Sequence, residues 1–138
     1  MKILVGHDGS EHSGKALTRA VEMASALKAS LVVVTVVPDL CMMEISDDDC
    51  KSMYKIMTED SEKRLSRLKE DLSKKGVQME TVVHFGRAAD MIVKTCVDTK
   101  ADMLIVGSHG RHGAKKFLLG SVSSKVLEHA PCDVLVVK

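Results

Sequence analysis

Five short runs of apolar and β-branched residues recur along the chain: Ile3-Leu4-Val5, Leu31 to Val37, Met79 to Phe85, Met103 to Val106, and Val134 to Val137. Runs of this length and composition predict β-strands. Four are apolar almost throughout, as expected of strands covered on both faces. The run Met79-Glu80-Thr81-Val82-Val83-His84-Phe85 mixes in polar positions and predicts a sheet edge.

Helical spacing fills the intervals between these runs. Ala16, Ala20, Met23, Ala24 and Leu27 share one face, and Met53, Ile56, Met57, Leu65, Leu68 and Leu72 share another. Two shorter segments follow, marked by Ala88, Ala89, Ile92, Val93 and Cys96, and by Val122, Val126, Leu127 and Ala130, the last with Pro131 where a helix stops. Strict alternation of strand and helix requires right-handed crossovers, and these yield a parallel sheet with helices on both faces. The expected fold is therefore an open α/β architecture of five parallel strands. The 138 residues suit one domain spanning 1–138, and no repeat or linker interrupts them. The longest irregular stretch, Pro38 to about Cys50, holds Asp39, Glu44, Asp47, Asp48 and Asp49 without a basic residue. It lacks the residue order of a calcium loop and reads as a solvated acidic loop, Asp39–Asp49.

Composition removes several function classes. Lys+Arg 20 against Asp+Glu 19 gives a net charge of +1, too balanced for a chain that coats nucleic acid by charge alone. Tyr54, Phe85 and Phe117 are the aromatic residues, too few for a base-stacking platform. Nucleic acid is therefore not an expected partner. No apolar run approaches the roughly 20 residues of a membrane span, and Met1 leads into Lys2-Ile3-Leu4-Val5-Gly6 without a signal-peptide pattern, so the expected location is cytoplasmic. Cys41, Cys50, Cys96 and Cys132 form no CxxC pair, and free thiols are expected.

In open α/β sheets ligands bind beyond the carboxyl ends of the strands, where strand order reverses. Two such ends are unusual here. Gly6-His7-Asp8-Gly9-Ser10 follows the first strand, and Gly107-Ser108-His109-Gly110-Arg111-His112-Gly113 follows the fourth, leading on to Gly120-Ser121 at the next helix. If both line one pocket, strands one and four are neighbours. No acidic residue occurs from Met103 to Leu127, whereas Arg111, Lys115, Lys116 and Lys125 are basic, so an anion is the natural partner of this region. Glycines there allow close approach to backbone N–H groups, and a helix starting near Ser121 adds unpaired donors and the positive end of its dipole. A polyphosphate cradle fits these features; so does a glycine-rich turn followed by a Ser121 or Ser123 cap. Neither a Walker loop nor a Gly-x-Gly-x-x-Gly turn after the first strand is present, which argues against a P-loop enzyme and a dinucleotide fold. A phospho-receiver needs an acidic cluster after strand one and an Asp after strand three, where His84-Phe85-Gly86 stands instead.

These residues resemble the universal stress protein family, in its ATP-binding (UspA-like) subgroup. Gly107, Gly110, Gly120 and Ser121 meet the family's Gly-x2-Gly-x9-Gly-Ser/Thr spacing, and Asp8 to Ser13 and Ala130 to Val137 are similar to the family's strand-ending and closing segments. The resemblance covers the whole chain. It implies a Rossmann-like fold of the adenine nucleotide alpha hydrolase type, with strand order 3-2-1-4-5. It also implies ATP as ligand, with Mg²⁺ entering on the phosphates. Gly6, His7 and Asp8 would lie near adenine and ribose, with Val36 giving backbone contacts to the base. Gly107, Ser108, His109, Gly110, Arg111, His112 and Gly113, with Gly120, Ser121, Val122 and Ser123, would hold ribose and phosphates.

Hydrolysis needs a positioned water, charge stabilisation and usually a metal held by the protein. Asp8 is the one carboxylate of the cradle, and no catalytic residue stands out. A nucleotide-sensitive regulatory module in the stress response is the favoured reading, with Arg111 to Leu119 as its responsive segment and an unidentified protein as partner. A slow ATPase or phosphotransferase, or a nucleotide-free dimeric interaction module, are the alternatives. The apolar last strand, Val134 to Val137, would lie at a sheet edge and invites pairing with a second copy, so a homodimer is expected.

Overall fold

The structure, a computed structural model, describes residues 1–39, 46–74, 76–110 and 119–138. Nine elements alternate: β1 (Lys2–Gly6), α1 (Glu11–Leu27), β2 (Ser30–Val37), α2 (Asp47–Lys74), β3 (Met79–Phe85), α3 (Ala88–Thr99), β4 (Met103–Gly107), α4 (Ser121–His129) and β5 (Asp133–Val137). They build a five-stranded sheet in the order β3-β2-β1-β4-β5, with all pairings parallel. Strand β1 lies between β2 and β4, with Leu4 opposite both Val32 and Leu104. The order reverses there, so the carboxyl ends of β1 and β4 stand side by side as expected.

Alternation of side chains along each strand divides the core into two layers. On one face Ile3, Val5, Leu31, Val33 and Ile105 meet Ala16, Leu17, Ala20 and Ala24 of α1 and Leu65 and Leu72 of α2. On the other, Leu4, Val32, Val34, Leu104 and Val106 meet Ala89, Ile92 and Cys96 of α3 and Val126 of α4. The two-sided apolar strands thus find helices on both faces. Strand β3 is an edge, with Met79 buried, Glu80, Thr81 and Phe85 exposed and the residues between them half-buried.

Three expectations are corrected. Asp47, Asp48 and Asp49 form the first turn of α2, not a loop; the N–H of Asp49 donates to Ser46 Oγ at 3.2 Å, and three carboxylates suit the positive end of the helix. Asp39 precedes this helix, and Glu44 lies outside the described residues. Cys50 is disulfide-bonded, not a free thiol. Cys96 and Cys132 are free, and Cys41 lies outside the described residues. Helical spacing also overstates several apolar faces: Leu27, Met53, Ile56 and Leu127 are exposed. Among the described residues no helix is long and apolar enough to cross a membrane.

Candidate functional site

The chain leaves β1 through a tight turn built from its own side chains. Asp8 Oδ1 accepts from the N–H of Ser10 at 2.9 Å, Gly9 takes a φ of +80°, and Ser10 caps α1 by accepting from the N–H of Ser13. This turn directs α1 away from the carboxyl edge and leaves Asp8 at its mouth. Just before it, the N–H of His7 donates to the carbonyl of Val34 at 2.9 Å, and Thr35 Oγ1 donates to the carbonyl of His7 at 2.8 Å. His7 is buried beside β2 rather than displayed on a loop.

The second turn, after β4, is fixed to the first helix and to α4. A Cβ on Gly107 would stand 2.7 Å from the backbone carbonyl carbon of His12, so a side chain there is excluded by the packing of β4 against α1. A Cβ on Gly110 would stand 2.9 Å from Asp8 Oδ2, which places the turn after β4 directly on the turn after β1. The rings of His12 and His109 lie 5.4 Å apart and tilted, on the same junction. Ser108 is fully buried, and its role is internal: its carbonyl accepts from the N–H of Gly120 at 2.7 Å and from Ser123 Oγ at 2.9 Å. One buried carbonyl thereby fastens the start of α4 to the end of β4.

Gly120 is the N-cap of α4 and provides no side-chain cap, and the first intrahelical bond runs from the N–H of Ser124 to the carbonyl of Gly120. The expectation that Ser121 or Ser123 caps this helix is corrected: Ser123 Oγ donates backwards to the carbonyls of Ser108 and Gly120. The N–H groups at the start of a helix have no intrahelical acceptor and carry its positive dipole end, which suits an anion.

These turns border a cleft of about 580 Å³ at the carboxyl edge of β1, β2 and β4. Of the residues named from the sequence, Gly6, His7, Asp8, Val36, Gly107, His109, Gly110, Gly120, Ser121, Val122 and Ser123 line it. Ser108 is the exception and lies beneath the wall. Arg111, His112 and Gly113, with Lys115 and Lys116, are outside the described residues. Sequence reading did not find the opposite wall, where Ile56, Met57, Asp60, Ser61 and Arg64 of α2 face the cleft together with Val37 and Pro38. The signal that was present is Asp60-x3-Arg64 next to Ser61, three polar residues on the half of α2 that carries Leu65 and Leu72 inward. Ser61 is buried and Arg64 partly so, and polar groups in that setting need a partner, for which the cleft supplies the space. Among the described residues no cluster of three His, Cys, Asp or Glu side chains is placed to hold a metal unaided.

A parallel sheet of order 3-2-1-4-5 with two interlocked glycine turns at its switch point defines an open α/β architecture, a class in which ligand sites lie at that edge. Within that class the chain belongs to the universal stress protein family, whose family model matches residues 1–138. Universal stress protein YxiE of Bacillus subtilis is 34% identical over 153 residues, covering 99% of this chain and 98% of its own. Universal stress protein UspA from Lactobacillus plantarum superposes with a TM-score of 0.92 at 22% identity, covering 100% of this chain and 97% of its own, a likeness of fold. A universal stress protein solved in complex with cAMP superposes with a TM-score of 0.67 at 27% identity, covering 100% of this chain and 97% of its own.

Proposed function

We propose that the cleft binds an adenine nucleotide, with ATP as ligand and Mg²⁺ carried on its phosphates, and that the protein is a nucleotide-sensitive regulatory module of the stress response. The observation that carries this reading is the contact between the two glycine turns: Gly110 approaches Asp8 so closely that a Cβ would fill the gap, at the mouth of a cleft that also receives the N-terminus of α4. Phosphates fit the α4 side, where Gly120 to Ser123 present backbone donors and the helix dipole. Ribose and base fit the β1–β2 side, where Gly6, His7, Asp8 and Val36 line the cleft among apolar neighbours. The 27%-identical neighbour in complex with cAMP supports an adenine nucleotide as the ligand class.

Asp8 is the cleft-lining carboxylate nearest the phosphate side, so Mg²⁺ would depend chiefly on the nucleotide for its ligands. A binding module needs no more than this. It becomes a switch when nucleotide stabilises one conformation over another. Arg111, His112 and Gly113 are assigned to the phosphates in the same reading. The proposed working form is a cytoplasmic homodimer of one-domain chains joined through Val134–Val137. Its support is that β5 ends the strand order and has β4 as its one neighbour, while its apolar side chains are half-exposed. Equilibrium titration of nucleotide-stripped protein with ATP, with and without Mg²⁺, tests the central part of this reading.

A further inference from the structure

The α2 wall of the cleft contains a charged group whose hydrogen bonding is incomplete. Arg64 Nη2 donates to Asp60 Oδ2 at 2.6 Å, one helical turn back. Its Nη1 is buried and has no hydrogen-bond acceptor among the described residues. A buried guanidinium N–H without an acceptor is a standing cost to the fold, larger than for a neutral donor. The side chain lines the cleft, as do Asp60 and the buried Ser61 beside it. A ligand entering the cleft can therefore satisfy this donor.

Resting on the nucleotide-binding reading, we propose that Arg64 is a ligand-contacting residue: its Nη1 donates to an acceptor atom on the base or ribose of the bound nucleotide, and Asp60 holds the guanidinium in place. Position assigns the nucleoside rather than the phosphates. Helix α2 packs on β2 and β3, whereas the glycine cradle stands at β4 and α4, with β1 between them. Strands lie about 4.8 Å apart, so the two walls are separated by roughly two strand spacings, about the length from a base to its first phosphates. Apart from Asp60 and Ser61, the lining that α2 and the end of β2 contribute is apolar: Val37, Pro38, Ile56 and Met57. A largely apolar slot with a fixed charged donor is an arrangement by which a small site orients a planar ring and rejects rings that lack the acceptor.

The test is calorimetric titration of the wild-type chain, R64M, R64K and D60N with ATP and, separately, with inorganic tripolyphosphate, alongside thermal unfolding of each variant without ligand. R64M is expected to weaken ATP about 10- to 100-fold, the range for a charge-assisted hydrogen bond, and to leave tripolyphosphate binding unchanged. R64K is expected to recover part of the loss. D60N removes an exposed anchor, so it is expected to fold as wild type and to weaken ATP by a smaller factor, which keeps the test valid if R64M unfolds. Unchanged ATP affinity in R64M and D60N, or an equal fall for ATP and tripolyphosphate, overturns the assignment of Arg64 while leaving nucleotide binding intact. Failure of the wild-type chain to bind ATP overturns both.

Discussion

Gly107 and Gly110 are three residues apart in one motif, yet they are required for different physical reasons. At Gly107 the added Cβ meets the backbone of His12, which cannot move without shifting α1 off the sheet. Gly107→Ala is expected to cost about 1–3 kcal/mol of stability, the usual range for overpacking a close-packed interior. At Gly110 the added Cβ meets the far end of the Asp8 side chain, which can rotate away. Gly110→Ala is expected to leave stability within about 0.5 kcal/mol of wild type while weakening ATP binding at least tenfold, because Asp8 is displaced from the mouth of the cleft. Urea unfolding and ATP titration of the two variants separate these effects; equal destabilisation of both would show that the motif serves packing alone.

Cys96 offers a second test at the same scale. Burial in the layer between α3 and the sheet, and then the neighbouring Cys132, push its thiol from an ordinary 9.0 up to about 12. In the unfolded chain the thiol ionises at its ordinary value, so above pH 9 the unfolded state binds fewer protons than the native state. Stability is therefore fully retained below about pH 9 and falls between 9 and about 12, by about 1.4 kcal/mol per pH unit for this one proton. Cys132 shifts in the same direction, mainly through burial, and adds to the fall. Replacing Cys96 by Ala should reduce the slope in denaturant titrations from pH 8.5 to 10.5, and an unchanged slope would contradict the assignment.

Among the elements, the strands were legible because burial on both faces leaves an apolar run that few other structures produce. Residues 79–85 and their edge position followed from the same logic in reverse. The helices were legible as elements but less so as faces. Periodicity places Ile56 and Leu65 on one stripe of α2, whereas Leu65 is buried and Ile56, which lines the open cleft, is 67% exposed. The start of α2 was misjudged because three consecutive aspartates read as solvated loop. A Ser at position 46 followed three residues later by Asp49 was the available capping signal.

The candidate site was half legible for a related reason. Its glycine turns advertise themselves in sequence, being contiguous and conformationally special. The α2 wall contributes Ser61 and Arg64 from a helix that the sequence presents as ordinary and amphipathic, and only packing against β2 and β3 brings them to the cleft. Ser108 shows the opposite case. It sits within the motif, but its buried carbonyl organises Gly120 and Ser123 while its side chain stays out of the cleft wall.

For the molecule as a whole, the two ends of the sheet differ. Strand β3 is an edge whose own sequence is polar at Glu80, Thr81 and His84, a composition that discourages pairing with another chain. Strand β5 has no such protection along Val134 to Val137. Sedimentation equilibrium at micromolar concentration is expected to give twice the 15.0 kDa chain mass, and a glutamate at Val136 should shift the protein toward monomer; a wild-type monomer would contradict the dimer. Such a dimer leaves the carboxyl-edge cleft accessible, because β5 continues the sheet sideways rather than across its mouth.

The regulatory role proposed for the protein requires the cleft to be a nucleotide site. The direct measurement is to purify the protein without added nucleotide, denature a portion to identify any released small molecule by mass, and titrate the stripped remainder with ATP in the presence and absence of Mg²⁺. Saturable one-to-one binding below millimolar ATP, or recovered adenine nucleotide at near one equivalent per chain, is the expected result. An empty protein that shows no binding up to millimolar ATP under either condition would contradict it and leave the interlocked glycine turns as a structural device.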